Sequence, residues 1–142
     1  MSADAAAKRV IAFDYGLSQI GVAVGNSGLG TSQPLAILKA RDGQPNWNEL
    51  SALCKEWQPD LLLVGDPLNM DGTVSEFALR ARKFARRLAG RLNLPVTMVD
   101  ERLSSFDVKQ QQKAAGHRGD YREHPIDDLA AELILQDWLR QQ

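Results

Sequence analysis

The 142-residue sequence has one cysteine, two histidines and no long hydrophobic run. The single cysteine, Cys54, cannot form a disulfide within the chain, which is typical of proteins from a reducing compartment. No apolar stretch reaches the length of a membrane span, and residues 1–8 have neither the basic start nor the hydrophobic run of a signal peptide. These absences predict a cytoplasmic protein that does not associate with a membrane.

The few histidines and the cysteine also exclude several kinds of chemistry. His117 and His124 lie in a polar stretch without the spacing of a zinc site. The sequence places no histidine base beside Ser104 or Ser105, so we expect these serines to cap a helix. Cys54 falls on the apolar stripe of a predicted helix, which favours a buried side chain over a nucleophile. Carboxylates are therefore the main candidates for chemistry.

The composition is that of an ordinary globular domain, with 44% hydrophobic and 25% charged residues and a net charge of -1. A chain of 142 residues can form one layered core and is too short for two lobes. We expect residues 1–8 to be a disordered N-terminus and residues 9–142 to form a single domain. Residues 109–124 are polar and contain glycines, which predicts a mobile loop.

Hydrophobic periodicity predicts a three-strand meander followed by alternating helices and strands. The predicted strands cover residues 10–14, 20–25, 31–38, 61–65 and 95–99. The predicted helices begin after Asn46, after the loop 66–73 and near Asp127. Strands that are joined by helices pair in parallel with right-handed crossovers. The expected fold is therefore α/β, a mixed five-stranded sheet with helices on both faces.

Acidic residues follow three of these strands: Asp14, Asp66, and the pair Asp100 and Glu101. Functional groups of such sheets gather at the carboxyl ends of the parallel strands. Strand alternation lets only one member of the pair Asp100 and Glu101 point into a common site, and the residues do not select between them. For Asp66 two interpretations stay open, a metal ligand or a cap of the turn that follows it.

Asp127 falls near the middle of the apolar face of the last predicted helix. An acid that only stabilises the first turn of a helix has no need to face the core, so this position favours a role at the sheet edge. Carboxylates brought together repel one another, and hard cations relieve this repulsion because they take oxygen ligands. The pattern predicts a site for Mg²⁺ or Mn²⁺, with two ions and phosphoryl transfer to water.

A strongly basic helix indicates a polyanionic substrate. Six cations without compensating partners lie on the helix that follows the loop 66–73: Arg80, Arg82, Lys83, Arg86, Arg87 and Arg91. We expect Arg82, Lys83 and Arg86 to bind the substrate, together with Arg102 near the proposed metal site. Phosphate contacts of this kind position a nucleic acid without reading its sequence. The alternative is a basic face that is only solvated.

Four motifs together resemble the YqgF family, whose members are also called RuvX. They are Asp14-Tyr15-Gly16 with Ile20-Gly21-Val22-Ala23, the segment from Gly65 to Gly72, Asp100-Glu101-Arg102-Leu103-Ser104, and Ile126-Asp127 with Ala130-Ala131. The resemblance extends from Arg9 to Trp138. Members are RuvC-like Holliday junction resolvases and pre-16S rRNA nucleases. The resemblance therefore implies an RNase H-like fold and an endonuclease that depends on Mg²⁺ or Mn²⁺.

The resemblance further implies that Asp14, Glu101 and Asp127 are the catalytic metal ligands. The substrate it implies is RNA, namely the 5′ end of pre-16S rRNA during ribosome biogenesis, within pre-ribosomal particles. Two alternatives stay open: a Holliday junction resolvase acting on branched DNA, and a non-catalytic nucleic-acid-binding factor in ribosome assembly or transcription. We expect a monomer or a weak homodimer. Gln19 and Asp66 depart from the family pattern, which usually has a basic and an apolar residue at these positions.

Overall fold

The computed structural model describes residues 8–101 and 126–142, with the backbone alone at residues 126–128. Several predictions fall outside these residues: the N-terminal tail up to residue 7, Arg102, the helix cap at Ser104 or Ser105, and the loop 109–124. Of the helices in the described ranges, none combines the length and the hydropathy needed to cross a bilayer.

The chain folds into an α/β structure around a mixed sheet. In chain order the strands are β1 Arg9–Asp14, β2 Gln19–Asn26, β3 Thr31–Arg41, β4 Gln44–Pro45, β5 Leu61–Asp66 and β6 Val96–Asp100. They lie side by side in the order β4-β3-β2-β1-β5-β6. Strands β1 to β4 pair antiparallel, whereas β5 pairs in parallel with both β1 and β6. The predicted mixed sheet is confirmed, with one short strand, β4, that was not predicted.

The additional strand β4 results from a tight hairpin turn at Asp42 and Gly43. Both residues have positive φ angles, 50° and 80°, and Arg41 pairs with Gln44 on either side of them. An Asp-Gly pair with this left-handed backbone is a favoured two-residue hairpin turn. Strand β3 consequently continues three residues past the predicted end and carries the hairpin that faces α2.

Three helices cover the described part of the sheet: α1 Trp47–Trp57, α2 Glu76–Leu92 and α3 Ile126–Arg140. Helix α1 begins after the predicted cap Asn46, whose side chain accepts hydrogen bonds from the N–H groups of Asn48 and Glu49. Helix α2 begins after Ser75, which accepts a hydrogen bond from the Ala78 N–H. Each cap satisfies backbone donors that the first helical turn leaves without an intrahelical partner.

Each face of the sheet has its own hydrophobic core, because side chains alternate along a strand. The core beneath α1 and α2 includes Ile11, Phe13, Leu62, Val64, Leu50, Phe84 and Leu88. The core beneath α3 includes Val10, Ala12, Leu63, Val99, Ala131, Ile134 and Leu135. The predicted helices on both faces are therefore present. The same alternation determines the face on which each strand-ending acid lies.

Candidate metal centre and nucleic-acid interface

The acids predicted from the sequence lie at one edge of the sheet. Asp14 ends β1, Asp66 ends β5, and Asp100 ends β6 with Glu101 directly after it. These strands are parallel neighbours, so their carboxyl ends meet at the same edge. Asp14 and Glu101 are each 6% exposed and Asp66 is 8% exposed, whereas Asp100 is exposed. Three buried carboxylates therefore lie at this edge, but they are divided between its two faces.

Asp14 and Glu101 lie on the face that α3 covers. Ala12 and Val99, each two residues before one of these acids, belong to the core beneath α3. Gly65 lies on β5, between the strands that carry the two acids. It pairs with Val99 on β6, and the residue before it, Val64, pairs with Phe13 on β1. The strand between the two acids thus presents a glycine, with no side chain, to α3.

The carboxylate of Glu101 lies directly over Gly65. A Cβ atom built on Gly65 would lie 2.7 Å from Glu101 Oε2 and 2.6 Å from Ile134 Cδ1, closer than nonbonded atoms approach. Strands in a sheet are about 4.8 Å apart, so Glu101 reaches back across one strand spacing, to the strand next to Asp14. The absent side chain at Gly65 leaves the space that the Glu101 carboxylate occupies.

Asp100 lies on the other face of the sheet. It is exposed, and Met98, two residues before it, packs against the core beneath α1 and α2. Its register partner is Asp66. Of Asp100 and Glu101, between which the sequence pattern did not select, Glu101 is thus the one on the same face as Asp14. It is also the residue that the family resemblance selects.

Asp127 lies in the first turn of α3, and its side chain is outside the described residues. Ala130, Ala131 and Ile134, which follow it by three, four and seven positions, are fully buried. Position 127 therefore belongs to the helical stripe that packs on the sheet. Among the side chains that the structure describes, no three His, Cys, Asp or Glu residues are grouped so that they could hold a metal ion. The ligand set of Asp14, Glu101 and Asp127 stays a prediction.

Asp66 lies on the face of α2 and is bound by Arg82. Its two carboxylate oxygens accept hydrogen bonds from Arg82 Nε at 3.2 Å and Nη2 at 2.9 Å, a bidentate arrangement. These bonds and the charge of Asp66 raise the pKa of the Arg82 guanidinium. The backbone carbonyl of Asp66 accepts a hydrogen bond from the Leu68 N–H. The ion pair corrects both sequence-based interpretations of the Asp66 side chain, because neither a metal ligand nor a turn cap describes it.

The cations of α2 lie along two edges of the helix. Arg82 and Arg86 border a groove of about 300 Å³ between α2 and β6. Arg80, Lys83 and Arg87 instead line a cleft between α2, α1 and the β3–β4 hairpin. Lys83, which was grouped with Arg82 and Arg86 as a predicted substrate contact, therefore lies at the other edge.

The cations of α2 are also partly compensated, contrary to the expectation from the sequence. Arg80 Nη2 lies 3.1 Å from Asp42 Oδ1, and Arg82 pairs with Asp66. The sequence missed both contacts because the acids come from other elements. Lys83 and Arg86 are exposed and form no ion pair within the described residues.

The chain has close relatives in sequence. A family model described as "RuvX: Holliday junction resolvase" matches residues 8–141. The "Putative pre-16S rRNA nuclease" of Pseudomonas paraeruginosa is 53% identical over 139 residues, which cover 98% of this chain and 96% of the relative. The protein of the same name from Chromohalobacter salexigens is 54% identical over 136 residues, covering 96% of this chain and 92% of the relative.

Solved structures share the fold at lower identity. T. thermophilus RuvC in complex with a Holliday junction substrate has a TM-score of 0.52 and 15% identity, covering 94% of this chain and 95% of that one. Fowlpox virus resolvase in complex with Holliday junction DNA also has a TM-score of 0.52 and 15% identity, covering 92% of this chain and 98% of that one. This likeness concerns the fold, whereas the match over residues 8–141 and relatives at more than 50% identity place the chain in the RuvX family.

Proposed function

We propose that this chain is a metal-dependent endonuclease that cleaves RNA and processes the 5′ end of pre-16S rRNA in the cytoplasm. The observation that carries the proposal is the pair of buried carboxylates, Asp14 and Glu101, on one face at the carboxyl edge of parallel strands. Membership of the RuvX family supports a nuclease, and the names of the relatives support rRNA as its substrate.

The donor set fits a divalent cation. Burying a carboxylate is unfavourable unless positive charge or hydrogen bonds compensate it, and carboxylate oxygens are the ligands that Mg²⁺ and Mn²⁺ take. Asp14, Glu101 and Asp127 are the residues that would hold the cation, and we propose two ions, as in two-metal nucleases. When bound, the metal would supply an activated water and stabilise negative charge on the phosphate.

The residues of the chain supply position and substrate binding. Gly65 leaves the space into which the Glu101 carboxylate reaches. Arg86 and Lys83 are exposed cations available for phosphates of the RNA, with Arg102 proposed nearer to the cleaved bond. Arg82 uses two of its five N–H donors on Asp66, so it can bind a phosphate while it keeps the ion pair.

Cleavage of a precursor 16S rRNA 5′-leader fragment tests this proposal. We expect the wild type to cut with Mn²⁺ and not with EDTA, the Asp127→Asn variant not to cut, and the Asp66→Asn variant to cut as the wild type does. Cutting in EDTA would contradict a metal-dependent reaction. Wild-type rates in Asp127→Asn would remove that residue from the ligand set. RNA binding without cutting would favour the non-catalytic assembly factor.

A second candidate is a Holliday junction resolvase, which the description of the matched family model favours. Symmetric cleavage of two strands requires two active sites, so a resolvase should be a dimer when it acts. Sedimentation with and without a four-way DNA junction, combined with cleavage of that junction, distinguishes the candidates. A monomer that cuts the RNA leader and leaves the junction intact fits the RNA nuclease.

A further inference from the structure

A second concave site lies on the α2 side of the sheet, opposite the face of Asp14 and Glu101. Three cations of α2 line it with the spacing i, i+3 and i+7: Arg80, Lys83 and Arg87. The aromatic residues Tyr15, Trp47 and Phe84 line it as well, together with Gly43 and Gln44 of the β3–β4 hairpin. We call this site the basic cleft. Its volume is about 110 Å³.

The hairpin holds two of the three cations in place. Arg80 Nη2 donates hydrogen bonds to the Asp42 carbonyl oxygen at 2.8 Å and to its carboxylate at 3.1 Å. Arg87 Nη1 donates a hydrogen bond to Gln44 Oε1 at 2.9 Å. A guanidinium that is already ordered loses less conformational freedom when it binds an anion. The basic cleft is therefore preorganised, unlike a row of solvated side chains.

Positive charge is in excess in the basic cleft. Asp42 compensates Arg80, whereas Gln44 is neutral and leaves the charge of Arg87 in place. Lys83 is exposed and forms no ion pair with any residue in the described ranges. Three cations with one carboxylate leave two positive charges. Such a surplus in a concave site attracts an anion.

The shape of the basic cleft depends on Gly43 and Tyr15. A Cβ atom at Gly43 would lie 1.9 Å from the Tyr15 hydroxyl oxygen, and the φ angle of Gly43 is 80°. The Tyr15 ring is buried against Phe77 and Phe84, with centroid distances of 5.5 and 5.2 Å. A fixed hydroxyl group thus contacts the hairpin that orders the two guanidinium groups.

We infer that the basic cleft binds a phosphate group. Guanidinium and ammonium groups are the side chains that recognise phosphate, and ordered guanidinium groups do so with defined geometry. A volume of about 110 Å³ accommodates a phosphate but not a whole nucleotide, since pockets for larger ligands begin at about 300 Å³. The remainder of the ligand therefore lies outside the cleft.

Two sources of phosphate share this chemistry. One is a backbone phosphate of the RNA strand. In that case the inference rests on the proposed function, and it extends the RNA path from the outer edge of α2 to the edge that faces the β3–β4 hairpin. The other is a free ligand such as inorganic phosphate. Tyr15 directly follows Asp14 in the chain, so a strand that crosses the sheet edge would pass from one site to the other.

An NMR titration with inorganic phosphate tests for a free ligand. In ¹⁵N-labelled protein we expect saturable shifts of the Arg87 Nε–Hε and Gly43 amide signals. Lys83→Gln should weaken this binding about tenfold. Lys55→Gln is the matched control, because it removes the same charge from an exposed lysine of α1 and should leave the affinity unchanged.

Binding of a labelled single-stranded oligoribonucleotide in EDTA tests for the RNA source. If the strand supplies the phosphate, Lys83→Gln and Arg87→Gln each weaken RNA binding by about tenfold, relative to Lys55→Gln. If Lys83→Gln lowers the affinity for inorganic phosphate and leaves the affinity for RNA unchanged, the ligand of the cleft is free phosphate. No change in either affinity, with both variants folded by circular dichroism, would overturn the inference. Neither experiment needs cleavage, so a failed nuclease assay leaves this test intact.

Discussion

The two faces of the sheet hold their buried acids in different surroundings at the same edge. On the face of α2, the Asp66 carboxylate accepts both of its described hydrogen bonds from Arg82. On the face of α3, Asp14 and Glu101 lie beside a core built from alanine, valine, leucine and isoleucine. Arg82 pairs with the acid of the first face, and we propose that a metal ion binds the acids of the second. Burial of an acid at a strand end is thus a weak indicator of a metal site until the covering helix is known.

Neutralising the acids of the two faces should have very different effects on catalysis. We expect Asp14→Asn and Glu101→Gln to lower the cleavage rate by about 100- to 1,000-fold, because each removes a proposed metal ligand. Asp66→Asn should retain cleavage, since it only weakens an ion pair with α2. Initial rates on the rRNA leader fragment with Mn²⁺ measure this. Equal losses in Glu101→Gln and Asp66→Asn would remove the distinction between the faces.

The two glycines Gly65 and Gly90 provide a matched steric comparison. Gly65→Ala should lower the free energy of unfolding by about 1–3 kcal/mol and slow cleavage, because the new methyl group must displace Glu101 and Ile134. Gly90→Ala in α2 meets no atom within 4 Å and should stabilise the helix by about 0.5–1 kcal/mol. Chemical denaturation measures both. Retention of wild-type stability and cleavage in Gly65→Ala would contradict the described packing of Glu101.

Charge reversal on the outer edge of α2 should have a moderate effect on RNA binding. Arg86→Glu is expected to weaken binding and to reduce the slope of log affinity against log salt by about 1, since one phosphate contact is lost. Lys55→Glu on α1 is the control with the same change of charge. Arg82 is unsuitable for this test, because its reversal would also break the ion pair with Asp66. An unchanged slope would mean that Arg86 is only solvated.

Cys54 reports on the core beneath α1 and α2, where we expect the smallest effects. Burial raises the pKa of its thiol to about 11, so the thiol stays protonated and unreactive at neutral pH and becomes more reactive only as the pH rises toward that value. Alkylation by iodoacetamide should therefore require unfolding. If Cys54 is equally protected from alkylation in Glu101→Gln, the substitution on the α3 face leaves the core beneath α1 and α2 intact. Rapid alkylation of Cys54 in folded Glu101→Gln would contradict this.

Much of the fold followed from hydrophobic patterning, because β1 and β5 are apolar runs that end at an acid, Asp14 and Asp66. The short strand β4 was missed, since two residues carry no periodicity. Its signal is the pair Asp42-Gly43, a sequence typical of hairpin turns.

The candidate site was predicted only in part, since the sequence indicates which acids end strands but not the order of the strands. The face of Asp66 therefore stayed open, and its partner Arg82 lies 16 residues away in another element. The spacing of Arg80, Lys83 and Arg87 is visible in the sequence. The basic cleft is not, because its opposite wall comes from the unpredicted hairpin.

Direct metal binding tests the contrast between the two faces most sharply. Mn²⁺ is titrated by calorimetry into the wild type, Glu101→Gln and Asp66→Asn in the absence of RNA. We predict saturable binding to the wild type and to Asp66→Asn with similar affinity, and loss of that binding in Glu101→Gln. Unchanged Mn²⁺ affinity in Glu101→Gln, or loss of binding in Asp66→Asn, would contradict a metal centre on the α3 face.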